Sequence, residues 1–262
     1  MRNWLIGLGC AALLAIGSAS AQEVLRVGTE GSFPPWNMTT ANGELEGLEI
    51  DLANALCREL SVRCEFIAYD WEGIFPALYA GQFDAVMSGV AVTEERKKTV
   101  ALTRTYADTP LSFIARRGSP LLALESLQAV EGGLRGKRVG VQIASTSSKF
   151  VQQRLGATSE VLTYRNYEEI QLDLESGRLD AAFGRMLTWS EFMNTPAGRD
   201  FALFGPRLTG KDFAGFGEGA AIALPLGSAW EPRLNEALRA VRENGTLRDL
   251  HLKWFRTDVY LP

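Results

Sequence analysis

Charged and aromatic side chains that follow the predicted strands of the N-terminal half could hold a small charged ligand. Glu30 and Phe33 follow the first predicted strand, Trp71 follows the second, and Arg96 lies beyond the third. An arginine fork binds a carboxylate through two hydrogen bonds, and a glutamate can pair with a cation. Aromatic rings can sandwich an aliphatic stem or a guanidinium plane. These residues fit a ligand with a carboxylate at one end and a cation at the other.

Polar residues in corresponding places of the C-terminal half would complete such a site. Gln142 follows the strand KRVGV, and Ser145, Thr146 and Ser147 open the next predicted helix. The free N–H groups and positive end of that helix would add to carboxylate binding. Arg185 follows the last strand of this half.

These residues also have ordinary structural interpretations. Arg96 lies in the charged run EERKK, which is typical of a solvated helix face. Phe33 is equally consistent with a buried core, and Ser145 or Ser147 with nothing more than a helix N-cap. The residues by themselves leave these alternatives open.

A repeated segment indicates how the chain positions these residues. LYAGQFDAVM (78–87) is echoed by LESGRLDAAF (174–183). Both fit the end of a helix, a glycine stop, and an aspartate that opens a short apolar strand. Strands and helices alternate in the same order around both segments, which predicts parallel sheets with crossover helices. We therefore predict an α/β fold with two similar lobes that face each other across a cleft.

The remaining segments are predicted to join the two lobes. The stretch 105–117 suits an extended crossing, and the Gly-rich stretch 215–225 suits a return before a long amphipathic helix over 230–255. Two crossings would form a hinge, because few backbone angles then absorb lobe closure. A small ligand would bind in the cleft, at the carboxyl ends of the strands. The predicted divisions are a signal peptide (1–21), a first lobe (22–109 and 213–262) and a second lobe (110–212).

The N-terminus and the overall charge bound the class of protein. Arg2, a short apolar run and the small residues 18–21 are typical of a cleaved secretory signal, which predicts an exported protein beginning near Gln22. Removing Arg2 with the signal changes the formal net charge from −4 to −5. An acidic, mixed surface argues against nucleic acid and anionic membranes as partners.

Two cysteines remain after the predicted cleavage, Cys57 at the end of a helix and Cys64 at the start of the following strand. A disulfide would tie these two elements together, and two free buried thiols are the alternative. An even pair at close spacing in an oxidising compartment favours the disulfide. We expect no metal site, since the only histidine, His251, is far away in sequence.

The sequence contains weak versions of catalytic and cofactor motifs. GLRGKR lacks the first glycine and the Ser/Thr of a phosphate-binding loop, and GFGEG precedes a strand where a dinucleotide site needs a helix. No nucleophile elbow is present, and His251, on what we interpret as a surface helix, is a poor general base. We expect no catalytic residues and no cofactor.

Taken together, the motifs identify a resemblance to a known family. The chain resembles the periplasmic solute-binding proteins of ABC amino-acid importers, in the branch for lysine/arginine/ornithine, histidine, octopine and nopaline. The similarity covers essentially the whole mature chain. It rests on VGTEGSFPPWN, GELEGLEIDLANALC with Cys64, DWEGIFPALYAGQFDAVMSG, Thr93 with Arg96, GKRVGVQ, SGRLDAAF, FGPRLTG and ENGTLRDL. The resemblance implies a two-lobed Venus-flytrap fold that closes on its ligand and docks on an inner-membrane ABC permease.

The resemblance also implies roles for individual positions. Glu30 and Phe33 match places that hold the ligand's side chain, and Trp71 matches the stacking place. Two further groups match the cradle for the α-carboxylate and ammonium and the contacts of the closing lobe. They are Ser88, Gly89 and Arg96 for the cradle, and Gln142, Ser145, Thr146 and Ser147 for the closing lobe.

Two positions depart from the family pattern. Ala91 stands where many relatives have a serine, so one polar contact with the ligand would be missing. Arg185 stands where amino-acid binders place an aspartate for the α-ammonium, and an arginine there would repel an ammonium in a dry cleft. Either Arg185 points outward, or the ligand carries an extra carboxylate, as opines do on the amino nitrogen. The segments GTEGS, DWEGI and FGPRLTG resemble the opine binders most closely.

We therefore predict a monomeric periplasmic solute-binding protein for polar amino acids, either cationic amino acids or their opine-type derivatives, that binds without chemistry. The alternative is a periplasmic enzyme on the same fold, similar to cyclohexadienyl dehydratase. Such an enzyme would need a carboxylic acid near position 185, where this chain has Arg185. We do not expect the sensory lobe of a receptor kinase, since no transmembrane or kinase segment follows Pro262.

Overall fold

A computed structural model describes residues 22–108, 110–257 and 259 of the chain. The predicted signal peptide, 1–21, lies outside the described residues. Within the described part of the chain, no helix combines the length and the apolar character that a membrane span requires.

Short strands alternate with helices along most of the chain. The strands are β1 (Val24–Thr29), β2 (Ser32–Phe33), β3 (Asn37–Thr39), β4 (Leu45–Glu46), β5 (Arg63–Ala68), β6 (Ala85–Val86), β7 (Ala101–Leu102), β8 (Leu111–Arg116), β9 (Arg138–Gln142), β10 (Glu160–Tyr164), β11 (Ala181–Arg185), β12 (Phe201–Leu208) and β13 (Ala223–Leu224). The α-helices are α1 (Leu48–Glu59), α2 (Trp71–Tyr79), α3 (Leu127–Gly133), α4 (Thr146–Leu155), α5 (Tyr167–Glu175), α6 (Met186–Asn194), α7 (Trp230–Glu243) and α8 (Thr246–Phe255). Short 3-10 helices span Arg96–Lys98, Pro120–Ala123, Gly198–Asp200 and Ala214–Phe216.

The two predicted lobes are built on two five-stranded sheets. The first has the order β5-β1-β6-β13-β7 and the second the order β10-β9-β11-β8-β12. In each sheet the three strands of the repeated unit are parallel, as predicted. Of the other two strands, β13 in the first sheet and β8 in the second run antiparallel to both of their neighbours, so the prediction of parallel strands is wrong for these two. Each of them is the first strand that the chain forms after it crosses from the other lobe.

Helices cover both faces of each sheet. The apolar faces of α1, α7 and α8 pack on one face of the first sheet, and α2 packs on the other. In the second sheet α5 and α6 cover one face, and α3 and α4 the other. Strands β2, β3 and β4 form a small sheet that is not predicted from the sequence. This sheet places Phe33 beside the cleft.

The long amphipathic helix predicted over 230–255 is divided as expected at Asn244-Gly245. Gly245 has a φ of 85°, a conformation that glycine adopts without strain, and it ends α7 and begins α8. The interpretation of α8 as a surface helix is wrong for its inner side, because His251 is fully buried there and stacks against Phe255. The other side of the helix carries the polar residues.

The disulfide prediction is confirmed. Cys57, near the end of α1, is bonded to Cys64, the second residue of β5. The bond closes a loop between a helix and the strand that follows it in the first lobe.

Two neighbouring extended segments connect the lobes. The first runs from β7 to β8, and the second precedes β13. They are hydrogen-bonded to each other, with the Ala220 N–H donating to the Ala107 carbonyl at 2.9 Å and the Tyr106 N–H to the Ala220 carbonyl at 2.8 Å. This pair of strands forms the two-crossing hinge of the fold.

Candidate functional site

The predicted site residues meet at the carboxyl ends of the parallel strands, where the two lobes face each other. The walls of this cleft are formed by Glu30, Phe33, Trp71, Ser88, Gly89, Arg96, Gln142, Ser145, Thr146, Ser147, Tyr167 and Arg185. Eleven of the twelve predicted residues are among them. Ala91 is fully buried below the wall, and Tyr167 is an additional member. That these residues bind a ligand stays a prediction.

Glu30 and Gln142 join the lobes at one end of the cleft. Gln142 Nε2 donates a hydrogen bond to Glu30 Oε1 at 2.7 Å, and the Ser32 hydroxyl lies 3.3 Å from the same oxygen. Burial raises the pKa of Glu30 to about 8, against these hydrogen bonds, and the negative charges of Glu49 and Asp70 raise it further. A cationic group entering here would restore the charged carboxylate.

Arg96 lines another part of the cleft wall. Its guanidinium lies over the rings of Trp71 and Phe75, with its central carbon 5.3 and 5.2 Å from their centres. Nη1 donates to the Ala91 carbonyl at 3.1 Å, and the Arg96 N–H donates to Thr93 Oγ1 at 3.2 Å. The solvated-face interpretation therefore fails for Arg96. It still describes its exposed neighbours Lys97 and Lys98.

The surroundings of Arg96 disfavour its positive charge. The residue keeps some exposure overall, yet burial of the guanidinium, followed by repulsion from Arg185, lowers the pKa of Arg96 to about 10. It therefore remains a cation at neutral pH. An anionic group brought to Arg96 would relieve this cost.

The start of α4 lies beside Arg96. The Ser145 hydroxyl accepts a hydrogen bond from the Ser148 N–H at 3.0 Å and donates to the Gln142 carbonyl at 2.7 Å. Ser145 is thus an N-cap as well as a wall residue, and Thr146 and Ser147 expose the first turn of the helix to the cleft. The N–H groups of this turn offer donors to an anion.

Stacked rings form an aromatic floor in the cleft. Phe33 stacks on Tyr167 of the other lobe, with ring centres 5.2 Å apart, and on the fully buried Trp36 at 5.8 Å. Gly89 lies against this floor with a φ of 57°, and a Cβ there would approach the Phe33 ring to 2.7 Å. Phe33 is therefore both a core and a cleft residue.

Arg185 points into the cleft, so the alternative that it faces outward is wrong. The side chain is only 7% exposed, and Nη2 donates to the Gly89 carbonyl of the opposite lobe at 3.1 Å. Its backbone N–H donates to the Tyr167 hydroxyl at 2.9 Å. Burial lowers the pKa of Arg185, while Tyr167, Tyr106 and Glu49 favour its charged form.

A buried carboxylate supports the first-lobe wall from behind. Glu49 is fully buried and accepts hydrogen bonds from the Gly89 N–H (2.7 Å), from Asn37 Nδ2 (2.6 Å) and from the Tyr106 hydroxyl. Burial raises the pKa of Glu49 against these bonds, and the charge of Arg185 also opposes the rise. The sequence reasoning missed this network. The signal it left was an acidic residue among the apolar positions that open α1.

The lobes touch along the cleft, and the enclosed space is ≈ 20 Å³, enough for about one water molecule. A wider cavity of ≈ 700 Å³ adjoins it on the outer side of Arg96. At the rim of that cavity Lys149 of α4 forms an ion pair with Glu95 of the other lobe. A molecule the size of an amino acid could enter the enclosed part only if the lobes separate.

Comparison with known families gives one match across the chain. Residues 25–257 match the bacterial extracellular solute-binding proteins, family 3. Among curated relatives, an L-arginine-binding protein of Pseudomonas aeruginosa is 34% identical over 98% of this chain and 97% of its own length. An octopine-binding periplasmic protein of Rhizobium meliloti is 30% identical over 95% of this chain and 97% of its own length.

Solved structures agree with these relatives. An ancestral arginine-binding protein bound to arginine superposes with a TM-score of 0.80 at 33% identity, covering 89% of this chain and 99% of the other. An ancestral amino-acid-binding protein described as a precursor of cyclohexadienyl dehydratase has a TM-score of 0.78 at 29% identity, covering 88% and 95%.

Proposed function

The chain belongs to the bacterial extracellular solute-binding proteins of family 3, and we propose that it is the component of an ABC importer that captures a polar amino acid or an opine-type derivative. The observation that carries the proposal is that one cleft between the two lobes contains both donors for an anion and an acceptor for a cation. Arg96 and the start of α4 offer donors for a carboxylate, and Glu30 offers an acceptor for a cation.

The names of the relatives support this ligand class. Arginine, which the Pseudomonas relative is named for, has a carboxylate and a guanidinium at opposite ends. Octopine, which the Rhizobium relative is named for, adds a second carboxylate on the α-nitrogen. The stacked rings of Phe33 and Tyr167 line the same cleft and offer a surface on which an aliphatic stem would pack.

Binding would proceed by lobe closure about the two-crossing hinge. We propose lobes at 22–109 with 213–262, and at 110–212. The 3-10 helix Ala214–Phe216 packs on the core of the second lobe. This contact favours a crossing back to the first lobe a few residues after 213. Lobe closure would assemble the contacts that Gln142 and Arg185 make with the first lobe.

The cellular setting follows from the same function. We propose that residues 1–21 are removed on export and that the mature protein acts in the periplasm as a monomer. It would hand its ligand to an inner-membrane ABC permease. The predicted signal peptide and the periplasmic relative support this setting.

Binding would involve no chemistry. The dehydratase-related structure makes an enzyme the second candidate, since the two share a fold. Catalysis of proton transfer needs an acid or base within reach of the substrate. At position 185, where the resemblance to the dehydratases calls for an acid, the chain has Arg185, which does not exchange its proton near neutral pH, and the acid that does line the cleft, Glu30, is hydrogen-bonded to Gln142. Incubation of the purified protein with prephenate or arogenate should give no aromatic product.

Calorimetric titration of the mature chain with arginine, lysine, histidine, octopine, nopaline and glutamate tests the proposal. We expect at least one of them to bind and to reduce the radius of gyration in X-ray scattering. Arg96→Met should abolish binding, because the carboxylate loses its fork. Lys98→Met, in the same 3-10 helix but exposed, is the matched control and should bind normally. No binding by any of the six compounds would refute the proposal.

A further inference from the structure

Two arginine side chains share the interior of the cleft, one from each lobe. Arg96 comes from the first lobe and Arg185 from the second, and each lines the enclosed space of ≈ 20 Å³. Burial, followed by repulsion from Arg185, lowers the pKa of Arg96. Two cations that line the same small space attract anions and repel a third cation.

Arg185 is held in this position from the first lobe. Its Nη2 donates to the Gly89 carbonyl at 3.1 Å. The N–H of the same Gly89 donates to the buried carboxylate of Glu49, whose charge favours the charged form of Arg185. When the lobes are closed, these contacts favour the arrangement in which the Arg185 guanidinium lies against the Gly89 wall. A bound ligand therefore meets Arg185 inside the cleft.

The position of Arg185 disfavours a plain amino acid. If the ligand's carboxylate meets Arg96, the ammonium on the adjacent carbon lies within a few ångströms of it, inside the same small space. The Gly89 carbonyl, at a residue that lines this space, accepts a hydrogen bond from Arg185 when the lobes are closed, so an ammonium would have to share this acceptor with a cation. The ammonium would face a guanidinium where it needs an acceptor.

We propose that the cleft selects a ligand with two carboxylates, one bound by Arg96 and the other by Arg185, and that Arg185 determines this specificity. The inference rests on the proposed function and narrows it to acids in which a second carboxylate lies close to the first, as on the α-nitrogen of an opine. Glu30 keeps its place opposite, where it receives the cationic tip of such a ligand.

Octopine and arginine are the matched probes, because they share the guanidinium tail and one carboxylate and differ in the second. We expect the mature protein to bind octopine roughly 10- to 100-fold more tightly than arginine in calorimetric titration, the range for a hydrogen bond between charged groups. Arg185→Lys keeps the charge without the fork and should retain part of this preference.

The double variant Glu49→Gln/Arg185→Met removes the cation together with its buried counter-charge, so that neither is left unpaired. We expect its octopine-to-arginine affinity ratio to fall to about one, chiefly through weaker octopine binding, with a single cooperative unfolding transition as the check on folding. A single Arg185→Met variant serves as a second reading if the double variant unfolds.

The outcomes separate this inference from the proposed function. Equal affinities for octopine and arginine in the unaltered protein, or a preference that survives the double variant, overturn the role of Arg185 and leave the transport function intact. Failure of every compound in the six-member panel to bind overturns the proposed function itself.

Discussion

The two lobes contain the same backbone unit, held by the same side chains. In the first lobe Arg26 on β1 donates to the Asp84 carboxylate and, at 3.0 Å, to the Gly81 carbonyl. In the second lobe Arg138 on β9 donates to Asp180 and, also at 3.0 Å, to the Gly177 carbonyl. Gly81 and Gly177 both have a φ of 72°. The repeated helix–glycine–strand segment is thus fastened to the first strand of its own lobe by an arginine.

The lobes differ where these matched strands end. The segments RVGTE and RVGVQ place Glu30 opposite Gln142, and the echo LYAGQFDAVMSG and LESGRLDAAFGR places Gly89 opposite Arg185. Both pairs meet across the cleft, at 2.7 and 3.1 Å. The frame is alike in both copies, while the residues at or just beyond the strand ends differ: acid in one copy and amide in the other, glycine in one and arginine in the other. In this chain the two copies therefore differ in chemistry at positions that contact their own counterparts across the cleft.

The largest expected effect is a pH dependence of lobe closure, which Glu30 causes and its uncharged counterpart Gln142 does not. In the closed arrangement the pKa of Glu30 is raised to about 8 from its ordinary value of 4.5, and opening would return it toward that value. The closed form then binds more protons between these limits, so ligand-free closure is favoured at low pH. The equilibrium constant for ligand-free closure falls by up to tenfold per pH unit as the pH rises toward 8. Glu30→Gln should remove this dependence.

Fluorescence transfer between dyes on the two lobes, followed from pH 5 to 9 without ligand, measures this effect. Glu72→Gln, at an exposed carboxylate near the cleft, is the control and should behave like the unaltered protein. A closed population that does not change with pH in the unaltered protein would show that Glu30 keeps its charge when the cleft is shut.

The second effect, on stability, comes from the disulfide, because it links two elements of the first lobe only. Cys57 and Cys64 are seven residues apart, and closing so short a loop contributes roughly 2–3 kcal/mol. Cys57→Ala/Cys64→Ala should lower the free energy of unfolding by this amount and increase hydrogen exchange in α1 and β5, with α4 and β10 unaffected. Adding reductant to the unaltered protein should reproduce the loss. An equal loss of protection from hydrogen exchange in both lobes would show that the disulfide does not stabilise the first lobe alone.

The glycines of the two RVG segments give the third comparison. A Cβ on Gly28 would lie 2.6–2.8 Å from three atoms of the buried Phe83 ring, whereas one on Gly140 would meet a terminal methyl of Leu179 at 2.4 Å. A rigid ring cannot retreat, but a leucine methyl can rotate away. We expect Gly28→Ala to cost about 2–3 kcal/mol and Gly140→Ala about 1 kcal/mol in denaturant unfolding. A larger cost for Gly140→Ala than for Gly28→Ala would mean that the core of the second lobe tolerates an added methyl group less well than the core of the first.

Much of the frame and most of the cleft could be predicted from the sequence, because the repeat places polar residues directly after strands. Strand ends in parallel units converge on one edge, so position along the chain is enough to group Glu30, Trp71 and Gln142. Tyr167 fits the same rule, since it follows β10 closely, but an aromatic residue that opens a helix is also typical of a core. The antiparallel strands β8 and β13 were not predicted, because pairing direction depends on the path between the lobes.

Other features depend on contacts between distant segments. The network of Glu49 joins residues 37, 49, 89 and 106, and no local pattern links them. His251 has ordinary spacing on an amphipathic helix, and only the packing of α8 on α1 buries it. The sequence does not determine the direction of Arg185, because a charged residue at a strand end can face either way. Its contacts with Tyr167 and Gly89 decide the matter.

The smallest effect tests the shared frame itself. Burial works against the charged forms of Asp84 and Asp180, but hydrogen bonds from Arg26 and Arg138 outweigh it and lower the pKa of both carboxyls from 3.8. Their contribution is therefore complete above pH 4 and is lost as the pH falls through the lowered pKa values. Because both ion pairs are partly exposed, we expect Asp84→Asn and Asp180→Asn each to cost only about 1 kcal/mol at pH 7.

At pH 3 the cost of each asparagine substitution should shrink, since the native carboxyl is then partly protonated as well. Denaturant unfolding at the two pH values measures both variants, and Glu175→Gln, an exposed carboxylate of the second lobe, is the control. Equal costs at the two aspartates would show that the copies have kept the energetics of their frame along with its geometry. A cost confined to one lobe would mean that the repeated contact stabilises only that lobe.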